Sequence, residues 1–307
     1  MNFRKLQAAN RRKSIELLFG MGLLIGVVAW AALTYFGAST AGIVPFAVGI
    51  SLISVWGSFW ASDRIILTMT GAKQIQESDN PRLFDLVQEI CIASGLPMPK
   101  VAIVEDPAPN AFATGRDPEH ALIAFTTGIL DVMERDELQG VIAHEMSHVA
   151  NRDTLVSAIA ATTAGAIAIL SDFIMRMMWW GGGRDRDNQS NQNPLALIAS
   201  LIILVLSPLA AVMIRSAISR KRESLADATA VAFTRNPTGL RKALEVLARD
   251  NTVVQQRSHS VAHIWIESPL DGSSVSQLFS THPPIQERIA ILRSMESNPG
   301  LIPGNEA

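Results

Sequence analysis

His144-Glu145-Met146-Ser147-His148 is the stretch on which the reading of this chain turns. Leu138, Val141, Ile142 and Val149 flank it at helical spacing. Asp136-Glu137 places negative charge where a helix N-terminus favours it. A helix from about Asp136 through Val149 is therefore expected. Residues four apart on a helix share a face, so both imidazoles can reach one ion at about 2.0–2.1 Å. Glu145, one position on, sits beside such an ion without being forced to ligate it. There it can take a proton from a water molecule whose pKa a zinc ion lowers to about 7. The spacing thus offers two ligands and a base. The five residues alone are a short pattern, met also in ordinary helices whose histidines bind nothing.

A catalytic zinc site needs a third protein ligand and keeps a position open for water. No third histidine follows soon after His148. The better candidate is Glu223, in Arg222-Glu223-Ser224-Leu225-Ala226-Asp227. Asp227 lies four residues on, hence on the same helix face. From there it can accept a hydrogen bond from a ligand histidine and fix its tautomer. Out of context, Glu223 and Asp227 read as solvated helix charges paired with nearby arginines. A histidine pair that lacks a third ligand favours the metal reading. Peptide hydrolysis also needs a donor for the developing oxyanion. Tyr35, the only tyrosine, lies inside an apolar segment. His282 in Ser280-Thr281-His282-Pro283-Pro284 is available, and Arg288 follows it; taken alone, His282 reads more readily as a turn histidine before a proline pair. His120, His259 and His263 have no such setting and are expected to be surface or structural residues.

Composition points to a membrane. Mean hydropathy is positive, and only 18% of the 307 residues are charged, fewer than in an average soluble protein. A net charge of −2 leaves no nucleic-acid footprint. Segments of roughly 20 uncharged residues can cross a bilayer as helices. Leu17 to Phe36 and Gly42 to Ser62 meet that length, the second with Pro45 near its start. Leu155 to Ser171 is slightly short, and Pro194 to Ile214 is long enough. Gly37 to Ala41 permits only a tight connection, so the first pair reads as a helical hairpin. The first segment is too long for a cleavable signal and is followed at once by another. Trp56, Trp60, Trp179 and Trp180 lie where rings favour the headgroup region, core packing being the other reading.

Positive charge sets the orientation. Arg4, Lys5, Arg11, Arg12 and Lys13 precede the first segment, the first loop carries no Lys or Arg, and Arg215, Arg220, Lys221 and Arg222 follow the fourth. Both ends and the middle are thus expected in the cytoplasm. Arg176, Arg184 and Arg186, with Asp172, Asp185 and Asp187 beside them, run against the rule. The second hairpin therefore either spans or packs partly on the soluble domain. The expected organisation is a transmembrane hairpin over 1–62, soluble α/β over 63–153, a second apolar hairpin over 154–214, and a soluble return over 215–307. Within the soluble parts, helices are expected from Asn80-Pro81 to Ser94, from about Ile218 to Thr234, from Thr238 to Arg249 and from Pro284 to Met295. Strands are expected at Val101 to Val104 and Ala121 to Phe125. Asp106-Pro107-Ala108-Pro109-Asn110 reads as turns and 251–280 as irregular and polar. No internal repeat is present. Cys91, the only cysteine, permits no internal disulfide and reads as a small buried hydrophobe.

Together these residues resemble the HtpX family, bacterial heat-shock membrane zinc metallopeptidases related to the eukaryotic CAAX prenyl protease. The likeness covers nearly the whole chain and includes Asn110-Ala111-Phe112-Ala113-Thr114-Gly115 before the metal helix. It implies a mostly helical α+β, gluzincin-like domain with a small sheet, plus membrane-spanning hairpins in the bacterial inner membrane and an active site facing the cytoplasm. It implies one zinc ion per subunit, held by His144, His148 and Glu223, with Glu145 as base and Asp227 orienting a ligand. His282 and Arg288 would contact the substrate carbonyl. Asn110, Ala111 and Phe112 would lie on an edge that pairs with extended substrate backbone. Its substrates would be misfolded or damaged membrane proteins cleaved in stress quality control. A non-enzymatic membrane adaptor is the competing reading, and a zinc hydrolase of non-peptide amides a third. Against the adaptor stands Glu145: a structural site needs no carboxylate beside its ligands and is closed by a fourth protein ligand, which the sequence does not offer.

Overall fold

The computed structural model describes scattered positions between 12 and 26, residues 40–159, 161–162, 220–250, 252, 264–266 and 284–303. Helix α1 is Thr40–Thr70, followed by strand β1, Lys73–Ile75, and helix α2, Pro81–Ser94. Strands β2, Lys100–Val104, β3, Ala111–Gly115, and β4, Ala121–Thr126, come next, then α3, Thr127–Val132, and α4, Arg135–Ala150. Helices α5, Arg220–Thr234, α6, Pro237–Arg249, and α7, Ile285–Ser297, complete the sequence of elements. The mostly helical architecture with a small mixed sheet agrees with expectation.

The boundaries follow local chemistry. Pro81 opens α2 at a position whose N–H needs no partner, and the Asn80 side chain accepts the Leu83 N–H at 3.2 Å. Gly95, at φ 71°, closes the helix by donating to the Cys91 carbonyl at 2.9 Å. Asn236-Pro237 starts α6 in the same way, Asn236 accepting from Gly239 N at 3.3 Å. Cys91 is buried as expected, and burial pushes its thiol up to about 11.

The sheet runs β1-β2-β4-β3. The β2–β4 pair is parallel, and the pairs at both edges are antiparallel. One strand escaped the sequence reading, and a second was expected only as a pairing edge implied by the family resemblance. Strand β1 has only three residues, and β3, Ala-Phe-Ala-Thr-Gly, lacks the β-branched residues that announce a strand. Strand β4 is buried on both faces. Ile123 and Phe125 join a core built with Leu83 and Leu86 of α2, Val141 and Ile142 of α4, and Leu244 of α6. Leu122 and Ala124 point the other way, into a second core with Ile66 of α1, Phe112 and Trp265. Each fully buried Ile, Leu or Phe contributes about 1.5–3 kcal/mol, so the two cores hold β3 and α4 firmly in register.

One close approach locks the metal-bearing helix. A Cβ on Gly140 of α4 would fall 2.5 Å from Leu240 N, and one on Gly239 would fall 2.4 Å from the Asp136 carbonyl. Helices α4 and α6 thus meet backbone to backbone, which only glycine permits.

Helix α1 continues past Ser62 through Asp63 and Arg64 to Thr70. Val48, Leu52, Ile53, Trp56 and Trp60 are exposed along it, while Ile66 is fully buried near its C-terminus. Arg116, just after β3, lies 4.3 Å over the Trp60 ring. Among the described residues no helix is long and apolar enough to cross a membrane. The side chains of several α1 residues, most of the first and third apolar segments, and all of the fourth lie outside those described.

Candidate metal centre

Helix α4 carries the histidine pair because its start is fixed and its body is enclosed. The Glu137 carboxylate accepts the Glu134 N–H at 2.9 Å, which secures the first turn. Val141, Ile142 and Met146 are fully buried, so the helix cannot rotate without opening the core. His144 and Glu145 are only 1% and 2% exposed. His148, one turn on, is partly open.

Glu223, in the first turn of α5, faces both rings. Its Oε2 lies 3.6 Å from His144 Nε2 and its Oε1 3.8 Å from His148 Nε2. One donor atom from each of the three residues falls within 4.8 Å of the others. A tetrahedral zinc site with bonds of about 2.1 Å has donor–donor edges of about 3.4 Å. Two imidazole nitrogens and the two oxygens of one carboxylate, one donor atom of each residue within 4.8 Å of the others, can thus converge on a zinc-sized ion. Among the described residues no fourth His, Cys, Asp or Glu belongs to the group.

The far nitrogen of each ring is also held. His144 Nδ1 lies 3.0 Å from Asp227 Oδ1, and Asp227 in turn receives a two-pronged grip from Arg288, Nη2 to Oδ1 at 2.7 Å and Nε to Oδ2 at 2.9 Å. His148 Nδ1 lies 3.2 Å from Asp153 Oδ2, and Arg222 Nη1 stands 3.6 Å from Asp153 Oδ1. A carboxylate only accepts, so each Nδ1 carries a proton, and Nε2 is the nitrogen on the Glu223 side that a metal would take in place of its proton. Asp227 was foreseen from the sequence; Asp153 and Arg222 were not. Asp153 follows His148 by five residues, across the left-handed turn at Arg152 (φ 58°), and a carboxylate just beyond the end of the metal helix was the available signal.

Electrostatics reflect the burial. Burial and the Arg288 charge both press the His144 imidazolium down, but hydrogen bonds to Asp227 and Glu223 outweigh them and raise it to about 9. Burial raises Glu145, and the neighbouring histidines and the Ala113 N–H, which donates to it, only partly offset this. For Asp227 burial pulls upward, yet Arg288 and His144 hold it down to about 2. Burial also lowers Arg222 against the pull of Asp153 and Glu223.

Other expected residues fall as follows. Arg288 of α7 is 2% exposed, and besides gripping Asp227 its Nη1 lies 3.9 Å from Glu223 Oε2. Its Nη2 is 3.4 Å from both ring nitrogens of His144, which puts it over the ring, out of the hydrogen-bonding plane. Asn110, Ala111 and Phe112 lie at and just before the start of the edge strand β3, and all are buried. The Ala111 carbonyl accepts the Ile266 N–H at 2.9 Å, and Trp265 packs edge-on against Phe112 at 4.8 Å between centroids. This edge is thus partly paired with the chain's own 264–266. His282, His259 and His263 lie outside the described residues. His120 is half-exposed and paired with Asp117 at 2.5 Å, a structural role as expected.

Comparison with known proteins gives concordant results. A family model described as peptidase family M48 matches residues 77–296. A protease HtpX homolog of Caldanaerobacter subterraneus subsp. tengcongensis is 43% identical over 293 residues, 95% of this chain and 97% of that relative. A protease HtpX homolog of Streptococcus gordonii is 43% identical over 291 residues, 94% and 98% of the two chains. The crystal structure of S. mikatae Ste24p superposes with a TM-score of 0.50 at 18% identity; the match covers 94% of this chain and 66% of that one, a likeness of fold.

Proposed function

The chain belongs to peptidase family M48 and is a metallopeptidase, and from that premise we propose an integral-membrane, zinc-dependent endopeptidase with Glu145 as its general base. The convergence of His144, His148 and Glu223, with Glu145 beside them, carries the reading. Two imidazoles and one carboxylate match the donor set of catalytic zinc sites that keep a position for water. When bound, zinc would acidify that water and polarise the scissile carbonyl.

Glu145 takes the proton of the attacking water and returns it to the leaving amine nitrogen. Its raised pKa suits this work, because a stronger base accepts the proton more readily. The Ala113 N–H fixes the direction of the carboxylate and so ties the base to the strand along which substrate would lie. An extended substrate adds to the outer edge of β3, its own N–H replacing that of Ile266 at the Ala111 carbonyl. Asn110 anchors the start of that edge through Thr126, its N–H donating to Thr126 Oγ1 at 2.8 Å. His282 donates to the oxyanion. Arg288, with its charge fixed beside His144 and Glu223, adds electrostatic stabilisation at the carbonyl.

The membrane part of the proposal comprises a hairpin over 1–62 and a second over 154–214, which frame the catalytic halves 63–153 and 215–307. The exposed apolar side chains of α1 support it, and the distribution of Lys and Arg supports a cytoplasmic active site in the bacterial inner membrane. Likeness to the HtpX family supports damaged or misfolded membrane proteins as substrates and a role in stress quality control.

Substituting Glu145→Gln tests the catalytic claim. The variant should retain zinc and lose at least about two orders of magnitude in cleavage of a model membrane protein, as expected on losing a general base. Proteolysis at the parental rate by purified Glu145→Gln would refute the assignment.

A further inference from the structure

Beside the proposed metal centre of His144, His148 and Glu223, the molecule holds a second buried carboxylate facing an arginine. On one side of the centre, Arg288 grips Asp227 and Asp227 holds His144 Nδ1. On the other, Arg222 faces Asp153 and Asp153 holds His148 Nδ1 at 3.2 Å. Asp153 is 3% exposed, so its charge needs partners, and Arg222 is a cation within reach among the described residues. Both oxygens of Asp153 are engaged by groups that bear on the site, Oδ2 by a ligand histidine and Oδ1 by the residue directly before Glu223.

We propose that Asp153 is a positioning residue for His148, and that the Arg222 charge facing Asp153 across 3.6 Å supports it there, so that the centre is braced by a tight His144–Asp227–Arg288 relay and a looser His148–Asp153–Arg222 one. The idea rests on the metal reading above. It assigns a purpose to two features that reading leaves unused. The first is the left-handed conformation of Arg152, rare for a residue with a side chain, which turns the chain after α4 so that Asp153 faces back toward His148. The second is the enclosure of Arg222, whose side chain is only 12% exposed although it carries a charge. The brace matters more for His148 than for His144. His148 is the more open of the two rings, with 16% of its side chain exposed against 1% for His144. His144 is held by tight packing as well as by Asp227; the more open His148 depends more heavily on the hydrogen bond at Nδ1 to keep Nε2 aimed at the ion. Asp153 also makes the imidazole a stronger donor toward the metal by drawing on its Nδ1 proton.

The test uses the full-length chain in detergent and measures zinc affinity by chelator competition, the visible spectrum of the cobalt-substituted protein, and the melting temperature of the metal-free protein. Asp153→Ala should weaken zinc binding 10–100-fold, the range typical for loss of such a partner, and should shift the cobalt band. Asp153→Asn, which keeps an acceptor, should lose less. Because Asp153→Ala also strands Arg222, the decisive variant is Asp153→Ala with Arg222→Met, in which neither buried charge remains. Its metal-free melting temperature should return toward the parent while zinc affinity stays low and the cobalt band stays shifted. Full recovery of affinity and spectrum in that double variant would reduce the pair to an ordinary ion pair and overturn the proposal. Failure of the parent chain to bind zinc at all would instead sink the metal reading itself, an outcome distinct from the first.

Discussion

Helices α4 and α1 are built inside out relative to each other. Helix α4 buries an imidazole and two carboxylates, His144, Glu145 and Glu137, among fully buried Val141, Ile142 and Met146. Helix α1 leaves Val48, Leu52, Ile53, Trp56 and Trp60 exposed over its apolar stretch. A charge taken from water costs several kcal/mol unless it is paired, and α4 meets that cost with partners: Asp227 and Asp153 for the rings, the Ala113 N–H for Glu145. No such pairing is possible for an exposed leucine, whose cost is relieved only by an apolar surrounding. The contrast teaches that one helix is organised to concentrate polar chemistry and the other to present apolar side chains outward, as the proposed membrane hairpin requires.

The largest test of that contrast is removal of a buried partner. Arg288→Ala strips buried Asp227 of its two-pronged partner and leaves it the contact with His144 Nδ1, and should cost about 3–5 kcal/mol of stability by denaturant unfolding in detergent. A loss below about 1 kcal/mol would mean that water reaches the site and that the pairing is not needed. On α1, Leu52→Arg separates water from lipid as the surrounding medium. In water an exposed position tolerates substitution within about 0.5 kcal/mol, whereas at the centre of a span an arginine costs about 2.5–3.5 kcal/mol. Insertion measured in a translocation assay should show the larger figure, and the smaller would place α1 outside the bilayer. The smallest expected effect is the pH dependence of the centre. Without metal, His144 binds its proton up to about pH 9 against an ordinary 6.5. Its contribution to the stability of the metal-free fold is therefore complete below pH 6.5 and fades as pH rises through 9. Zinc must displace that proton, so apparent zinc affinity should rise about tenfold per pH unit toward 9. A flat affinity between pH 6.5 and 8.5 would contradict the proton's place on the ring.

Much of the site was legible because its information is local. The four-residue step from His144 to His148 specifies a shared helix face with Glu145 beside it, and the step from Glu223 to Asp227 does the same on α5. Strands β2 and β4 were visible as runs of Val, Ile and Leu, and α2 and α6 through their Asn-Pro starts. What escaped depends on distant partners. Strand β3 owes its pairing to β4 and to Ile266 rather than to strand-forming side chains, and β1 is too short to show alternation. Asp153 and Arg222 are unremarkable charges until the return of α5 to α4 brings them together beside His148. The extension of α1 through Asp63 and Arg64 was hidden by the charge that seemed to end it; buried Ile66 and Thr70 carry the helix onward by docking on the sheet.

Zinc content after exhaustive dialysis, compared between the full-length chain and its Glu223→Ala variant, is the most direct measure of the central claim. The parent should keep one zinc ion per chain and the variant should lose most of it, since two imidazoles alone hold the ion loosely. Equal zinc in the two proteins would show that Glu223, for all its nearness to both rings, does not bind the metal.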